Sequence, residues 1–177
     1  MVRAWLMCQP VKDQSAPCNC DPPIDVSSDE LLKLGILTQY IPVVDGDLID
    51  KICAERGYKY RDELIISREK TPNYDEEIRK YFEEHMHIEE EVRYILDGSC
   101  YFDVRNCEDK WIRIAVEPGD TIILPAGIFH RFTPDHRDYI HLLRLFKEQQ
   151  GSFVYNRNEM AKAANVREQY LNDSTAK

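Results

Sequence analysis

Between residues 92 and 146 the sequence is a series of short segments with a two-residue hydrophobic period, each ended by a turn signal. Side chains two apart along a strand share a face, so this period is typical of half-buried strands. Asp97-Gly98 and Pro118-Gly119 are turn signals of the kind that join antiparallel strands. Many short strands separated by turns predict a mainly β protein built as an antiparallel β-barrel or jelly roll. Five strands are predicted after the first turn, at about 101–105, 111–116, 121–124, 128–132 and 139–146.

Helices are predicted on both sides of this region. Capping residues mark their starts in the N-terminal part: Ser27 with Glu30, Asp47 and Asn73. A further helical turn or two is expected within 61–69, and a short strand within 1–8. We therefore predict one domain over 1–177, with several short helices in a part at about 25–82, a barrel at about 83–155 and a C-terminal helix at about 158–171.

Composition narrows the range of functions. The 177 residues are 43% hydrophobic and 31% charged, as expected for a soluble globular chain. The formal net charge of −9 argues against nucleic acid or an anionic membrane as a partner, since both select clustered positive charge. No apolar run approaches the roughly 20 residues that span a bilayer, and the apolar stretch at the start is too short to be the core of a signal peptide. We expect a monomer in the cytosol, small enough to enter the nucleus passively.

Six cysteines are scattered along the chain without a CxxC motif. Cys8, Cys18 and Cys20 lie in a polar, proline-containing segment predicted as a loop. A disulfide framework is typical of small secreted chains, whereas thiols in the cytosol stay reduced. We therefore expect all six to be free thiols, and the sequence assigns no role to the three in the loop.

Two spacings point to a metal centre. His85, His87 and Glu91 form an H-x-H-x3-E pattern, and His130 ends a G-x5-P-x-G-x2-H pattern that starts at Gly119. His85 and His87 share a strand face, and His130 can reach the same cavity from a later strand. Imidazoles with one carboxylate suit Fe, Ni, Co, Mn or Zn, and four ligands on an octahedral ion leave two positions open. We predict His85, His87, Glu91 and His130 as the metal ligands.

Other residues are predicted around that centre. Arg93 has the parity of Glu91, so its guanidinium would face the same cavity and could bind an anionic substrate; a structural ion pair is the alternative. Tyr81, Ile128 and Phe132 could line the pocket, although core packing would explain each of them equally well.

The paired spacings are the signature of the cupin superfamily, and longer strings extend the likeness. EEHMHIEEEVRYILDGSCYFDVR at 83–105 and GDTIILPAGIFHRFT at 119–133, with TPNYDEEI at 71–78, closely resemble the acireductone dioxygenase family. The resemblance runs from VRAW near the start to YNR at 155–157.

This resemblance implies a reaction. Such enzymes cleave the acireductone 1,2-dihydroxy-3-keto-5-methylthiopentene with O2 in methionine salvage, giving 4-methylthio-2-oxobutanoate and formate when they hold Fe(II). With Ni(II) they perform an off-pathway cleavage that releases carbon monoxide. His85, His87, Glu91 and His130 match the family's metal ligands, and Arg93 matches an arginine near the substrate. For eukaryotic members a secondary role with a protein partner is conceivable.

Two alternatives remain at this point. One is a different cupin enzyme, such as a sugar-phosphate isomerase, which would need a cationic phosphate site in the pocket. The other is a metal-binding regulatory cupin without turnover, which would tolerate the loss of Arg93.

Overall fold

The computed structural model describes residues 2–8, 10–44, 46–149, 154–158 and 164–175, the last without the Thr175 side chain. The described helices are α1 (Ser28–Lys33), α2 (Gly46–Arg56), α3 (Tyr74–Tyr81) and α4 (Asn165–Thr175). The described strands are β1 (Arg3–Leu6), β2 (Leu37–Tyr40), β3 (Tyr60–Ser67), β4 (His85–His87), β5 (Glu91–Gly98), β6 (Cys100–Arg105), β7 (Trp111–Val116), β8 (Asp120–Leu124), β9 (His130–Pro134), β10 (Tyr139–Phe146) and β11 (Val154–Asn156).

The strands form two antiparallel sheets. One has the order β1-β7-β6-β9-β4-β11, and the other has the order β2-β8-β5-β10-β3. The three strands of the N-terminal part lie at sheet edges, where β1 pairs with β7, β2 with β8 and β3 with β10. The predicted fold class is confirmed: the protein is mainly β, with two antiparallel sheets, short helices in its N-terminal part and a helix at the C-terminal end.

The main core lies between the two sheets. It contains Ile95 and Leu142 from one sheet and Phe102 and Ile114 from the other, each at most 1% exposed. Complete burial of one such side chain stabilises the fold by about 1.5–3 kcal/mol. A second cluster forms where α2 packs its buried Ile49 and Ile52 against the outer side of the five-stranded sheet.

One predicted helical segment is wrong. Residues 60–67 form β3, which pairs with β10 along its whole length, from Tyr60↔Phe146 to Ser67↔Tyr139. Leu64 and Ile66 alternate toward the cavity side, and the β-branched Ile65 and Ile66 favour an extended chain. The pairing of β3 with all of β10 outweighs the helical tendency of the charged residues at the start of β3.

The helix ends show which capping predictions hold. The Ser27 hydroxyl accepts a hydrogen bond from the Glu30 N–H, and the Glu30 carboxylate accepts one from the Ser27 N–H, so the predicted capping box is confirmed. Asn73 does precede α3, but its backbone is left-handed at φ 51° and its side chain makes no capping bond. The helix start is instead held by the Asn73 carbonyl, which accepts from the N–H groups of Glu76 and Glu77.

The C-terminal helix lies later than predicted. It begins at Asn165 and runs to Thr175, past the predicted end at Leu171. Asn158, the predicted start, is not helical, and residues 159–163 lie outside the described residues. No helix among the described residues is both long and apolar enough to cross a bilayer.

The expectation of six free thiols is wrong for one pair. Cys8 and Cys20 form a disulfide, while the described Cys18, Cys53, Cys100 and Cys107 are free. The backbone explains the pairing, because a bridge between Met7 and Asn19 brings the Cα atoms of Cys8 and Cys20 to 4.9 Å. The expectation was based on the reducing cytosol, and that argument takes no account of how close the backbone brings these two cysteines.

Candidate metal centre and its cavity

Three imidazoles meet inside the fold on neighbouring strands of one sheet. His85 and His87 lie on the same face of β4, and His130 begins β9 directly opposite His85 in the register. All three side chains are buried. One ring nitrogen from each lies within 4.8 Å of those from the other two, a spacing at which one metal ion could be held by all three.

A carboxylate from the other sheet completes this group. Glu91 begins β5, and its Oε2 lies 2.7 Å from His87 Nε2 and 3.5 Å from His130 Nε2. The four residues predicted as ligands are therefore brought together, with the imidazoles on one sheet and the carboxylate on the other.

Backbone carbonyls orient two of the imidazoles. Nδ1 of His85 lies 2.7 Å from the Glu83 carbonyl oxygen, and Nδ1 of His130 lies 3.1 Å from the Ile128 carbonyl oxygen. Because a carbonyl only accepts, each Nδ1 carries the proton and each Nε2 keeps its lone pair. This arrangement is typical of histidines that bind a metal through Nε2.

The nitrogen of His130 that faces the group lacks a hydrogen-bond partner among the described residues. This nitrogen, Nε2, is buried. A buried polar atom without a partner carries a free-energy cost, which a bound ion would remove. The orphaned nitrogen and the nitrogen and oxygen donors around it therefore fit a divalent transition metal.

The electrostatics favour the protonation states that a metal needs. Burial and the neighbouring His130 lower the pKa of His85 from 6.5 to about 4, so its imidazole is neutral at physiological pH. Burial alone would raise the pKa of Glu91, but the charge of Arg93 beside it holds that pKa well below its usual range. Metal ligands must be deprotonated, so His85 and Glu91 are in the states that bind a cation.

The group opens into a cavity of about 580 Å³ between the two sheets. Arg93 lines it, with Nη2 at 3.1 Å from Glu91 Oε2. Tyr81 and Phe132 also line it and meet edge to face, with ring centroids 5.9 Å apart. Ile128, predicted as a lining residue, does not reach the cavity; it is 1% exposed and packs in the main core.

Sequence reasoning missed a second ionic pair in the cavity wall. Asp62 on β3 accepts two hydrogen bonds from Arg144 on β10, both at 2.7 Å. Arg144 is also opposite Arg93 in the register of β10 with β5. The signal was present, since Arg144 is a charged residue between Leu143 and Leu145 in a predicted strand. The partner of Arg144 was not predicted, because Asp62 was assigned to a helical turn.

The two antiparallel sheets and the buried imidazole group between them define a cupin-type protein. A sequence profile of the ARD/ARD′ family matches residues 3–153. Acireductone dioxygenase of Branchiostoma floridae is 48% identical over 97% of this chain and 96% of its own, and that of Homo sapiens is 44% identical over 89% of each. The chain belongs to the ARD/ARD′ family, as its sequence motifs predicted, and it is an enzyme.

A solved structure supports the fold. An acireductone dioxygenase from Bacillus anthracis, with a cadmium ion in its active centre, superposes with a TM-score of 0.66 over 75% of this chain and 94% of its own. At 23% identity this likeness concerns the fold alone.

Proposed function

We propose that this protein is an acireductone dioxygenase that binds one Fe(II) through His85, His87, Glu91 and His130. Its substrates are 1,2-dihydroxy-3-keto-5-methylthiopentene and O2, and its products are 4-methylthio-2-oxobutanoate and formate, a step of methionine salvage. The observation that carries the proposal is the convergence of three imidazoles and a carboxylate beside Arg93 at a cavity. With Ni(II) in the same ligands we propose the off-pathway cleavage that releases carbon monoxide.

The charge of the site supports an anionic substrate. Three neutral imidazoles and one carboxylate leave a divalent ion with a net charge near +1, and Arg93 adds another positive charge. When bound, the metal supplies Lewis acidity and open positions for a substrate with two adjacent oxygens. An enediol loses protons readily, and the positive site would favour its anionic form. Arg93 would hold that anion in place and stabilise charge that develops on its oxygens.

The remaining lining supports a small substrate with an apolar end. Leu64, Ile66 and Leu142 line the cavity next to the charged residues. They would contact the methylthio end of the substrate, while Arg93 contacts its oxygens.

The pairing of the cavity arginines argues against a sugar-phosphate isomerase. Arg61, Arg93 and Arg144 line the cavity, which would suit a phosphate if they were free. Each of them instead contacts a carboxylate, on Asp50, Glu91 and Asp62 respectively. A phosphate would have to compete with all three carboxylates, whereas the proposed substrate would compete only with Glu91, for Arg93, and would be held by the metal as well.

The test is the O2-dependent decay of the ultraviolet absorbance of the enediol. The protein is stripped of metal, reloaded with Fe(II) and compared with Fe(II) alone and with an anaerobic sample. We expect rapid decay that yields the keto acid and formate, and carbon monoxide when Ni(II) replaces Fe(II). If protein shown to hold Fe(II) gives no decay above the metal-only blank, the acireductone reaction is rejected, and a different cupin enzyme and a regulatory cupin become the alternatives.

We further propose that the chain acts as a monomer in the cytosol with passive access to the nucleus. These proposals rest on its size and sequence, and sedimentation of the purified protein tests the first of them.

A further inference from the structure

The strand with two of the proposed ligands is short and depends on its neighbours. β4 contains three residues, pairs with β9 only at His85↔His130, and pairs with β11 from His85↔Asn156 to His87↔Val154. All three residues of β11 are exposed. So short a pair of strands is weakly stable by itself. The positions of the imidazoles therefore depend on what holds β11 against β4.

Arg157, which directly follows β11, joins it to the residue before the first ligand. Its backbone N–H donates to the Glu84 carbonyl at 2.9 Å, and its Nη1 donates to the Glu84 carboxylate at 2.6 Å. The same guanidinium donates to both carboxylate oxygens of Asp109, at 2.8 and 3.0 Å. Glu84, which precedes His85, also accepts two hydrogen bonds from Arg105, at 3.0 and 3.1 Å. Charge-assisted hydrogen bonds from guanidinium forks are among the stronger polar contacts in proteins.

Arg157 also reaches the residue before another ligand. Its guanidinium lies over the ring of Phe129, with 5.0 Å to the centroid. Phe129 is 1% exposed and precedes His130. Its carbonyl accepts a hydrogen bond of 3.1 Å from the Arg105 N–H, so Arg105 contacts both Glu84 and Phe129. The residues immediately before His85 and His130 thus share two arginines, Arg105 and Arg157, and the guanidinium of Arg157 contacts both residues.

We infer that Arg157 is a positioning residue for the metal centre, which it stabilises through Glu84 beside His85 and Phe129 beside His130. It does not line the cavity, so it acts without touching substrate. The inference rests on the metal site of the proposed function but not on the reaction. Loss of a group that hydrogen-bonds directly to a metal ligand typically lowers metal affinity by about 10–100-fold. Arg157 contacts the residues beside the ligands, so we expect a loss at the lower end of this range, about 10-fold.

A matched arginine allows a controlled test. Arg68 also contacts two carboxylates, on Asp75 and Asp138, and lies over an aromatic ring, with 4.7 Å to the Tyr74 centroid. It belongs neither to the metal centre nor to its cavity. Arg157→Met and Arg68→Met therefore remove similar contacts, one set beside the ligands and one set away from them.

The experiment measures Co(II) binding to the full chain. Affinity is obtained by competition with a chelator, the ligand geometry by the visible absorption spectrum of bound Co(II), and folding by thermal unfolding of the metal-free protein. For Arg157→Met we expect about 10-fold weaker binding and a changed Co(II) spectrum. For Arg68→Met we expect wild-type affinity and spectrum, whatever its effect on unfolding.

Two further variants cover the case in which Arg157→Met does not fold. Arg157→Lys keeps the charge but loses the fork, so we expect an intermediate affinity. Asp109→Asn weakens one partner of Arg157 and leaves Glu84 in place, so we expect a smaller loss. Wild-type affinity and spectrum in Arg157→Met, or in Arg157→Lys if the former does not fold, would overturn the inference. Wild-type protein that binds no Co(II) would overturn the metal site and this inference together, whereas absent turnover with normal Co(II) binding would overturn only the reaction.

Discussion

The guanidinium of Arg93 lies 3.1 Å from the carboxylate oxygen of Glu91 that also faces His87 and His130. One contact therefore joins a proposed substrate residue to a proposed metal ligand. The positive charge of Arg93 helps to keep Glu91 ionised although that carboxylate is buried. Arg93 has two roles in this geometry, and their effects on the protein can be separated.

Arg93→Ala should reduce turnover and leave the metal bound at neutral pH. The four ligand side chains stay in place, while the charge that would hold the anionic substrate is gone. We expect turnover to fall roughly 100-fold, the effect of removing one preorganised group that stabilises developing charge. Metal analysis of the purified variant and steady-state kinetics measure the two effects. Loss of metal from the variant would show that Arg93 is mainly the structural partner of Glu91.

Glu91→Ala and His130→Ala should each lose metal and activity together. Each change removes one of four donors, and the remaining three hold an ion much less tightly. Metal content after dialysis and O2-dependent decay of the enediol give the two readings. His141→Ala is the control, because His141 contacts Glu63 at 2.8 Å and belongs to no ligand group. Normal metal content in Glu91→Ala would remove the carboxylate from the proposed ligand set.

The metal-free protein should lose stability between pH 6.5 and 4. The pKa of His85 is lowered in the folded state from 6.5 to about 4, so the unfolded chain takes up a proton first as the pH falls. The stabilisation from neutral His85 is complete above pH 6.5 and is lost as the pH approaches 4, and the pKa difference corresponds to roughly 3 kcal/mol. The Glu91 contribution has the same sign but is lost only below its ordinary pKa of 4.5.

Urea unfolding of the metal-free protein at pH 7.5, 6 and 5 tests this dependence. His85→Asn should show a flatter pH profile in this window, since the titrating group is absent. Equal slopes for the variant and the wild type would mean that burial of His85 does not control acid stability.

Gly127→Ala should destabilise the fold more than Gly57→Ala. Both glycines have left-handed backbones, with φ of 80° and 74°. A Cβ at Gly127 would lie 2.7 Å from the Val166 carbonyl oxygen, whereas a Cβ at Gly57 would have no heavy atom within 4 Å. We expect roughly 1–2 kcal/mol of backbone strain for Gly57→Ala and roughly 2–5 kcal/mol for Gly127→Ala, where steric displacement of α4 is added.

Thermal unfolding of the two variants gives that comparison. Gly127 also donates its N–H to the His87 carbonyl at 2.9 Å, so the Gly127 variant should bind metal more weakly too. Equal unfolding temperatures for the two variants would mean that α4 shifts away from the new methyl group with little loss of stability.

Local patterns were sufficient to predict the metal group. His85 and His87 share a face because of their spacing alone, and His130 was assigned to the same site because its own spacing, G-x5-P-x-G-x2-H, accompanies the H-x-H-x3-E pattern. The capping box at Ser27 is likewise a contact between residues three apart. Features that are set by residues close together in the sequence can be predicted from a local motif.

Contacts between distant residues were not predictable in this way. The choice between helix and strand at β3 is made by pairing with β10, and Asp62 meets Arg144 only because of that pairing. Arg157 meets Glu84 across 73 positions in the sequence, so nothing near either residue marks the contact. For Ile128 the structure shows core packing, the alternative to cavity lining, because Ile128 lies before the start of β9, where strand alternation does not apply.

The edge strands from the N-terminal part have a consequence for folding. Arg3 pairs with Ala115, Leu37 with Ile123 and Tyr60 with Phe146, so each early strand finds its partner in the later half of the chain. Contacts of such long sequence separation slow folding, because the loop between them must close before they form. During synthesis, β3 would emerge well before β10, and a chain that stopped short of β10 would lack both the partner of β3 and one wall of the cavity.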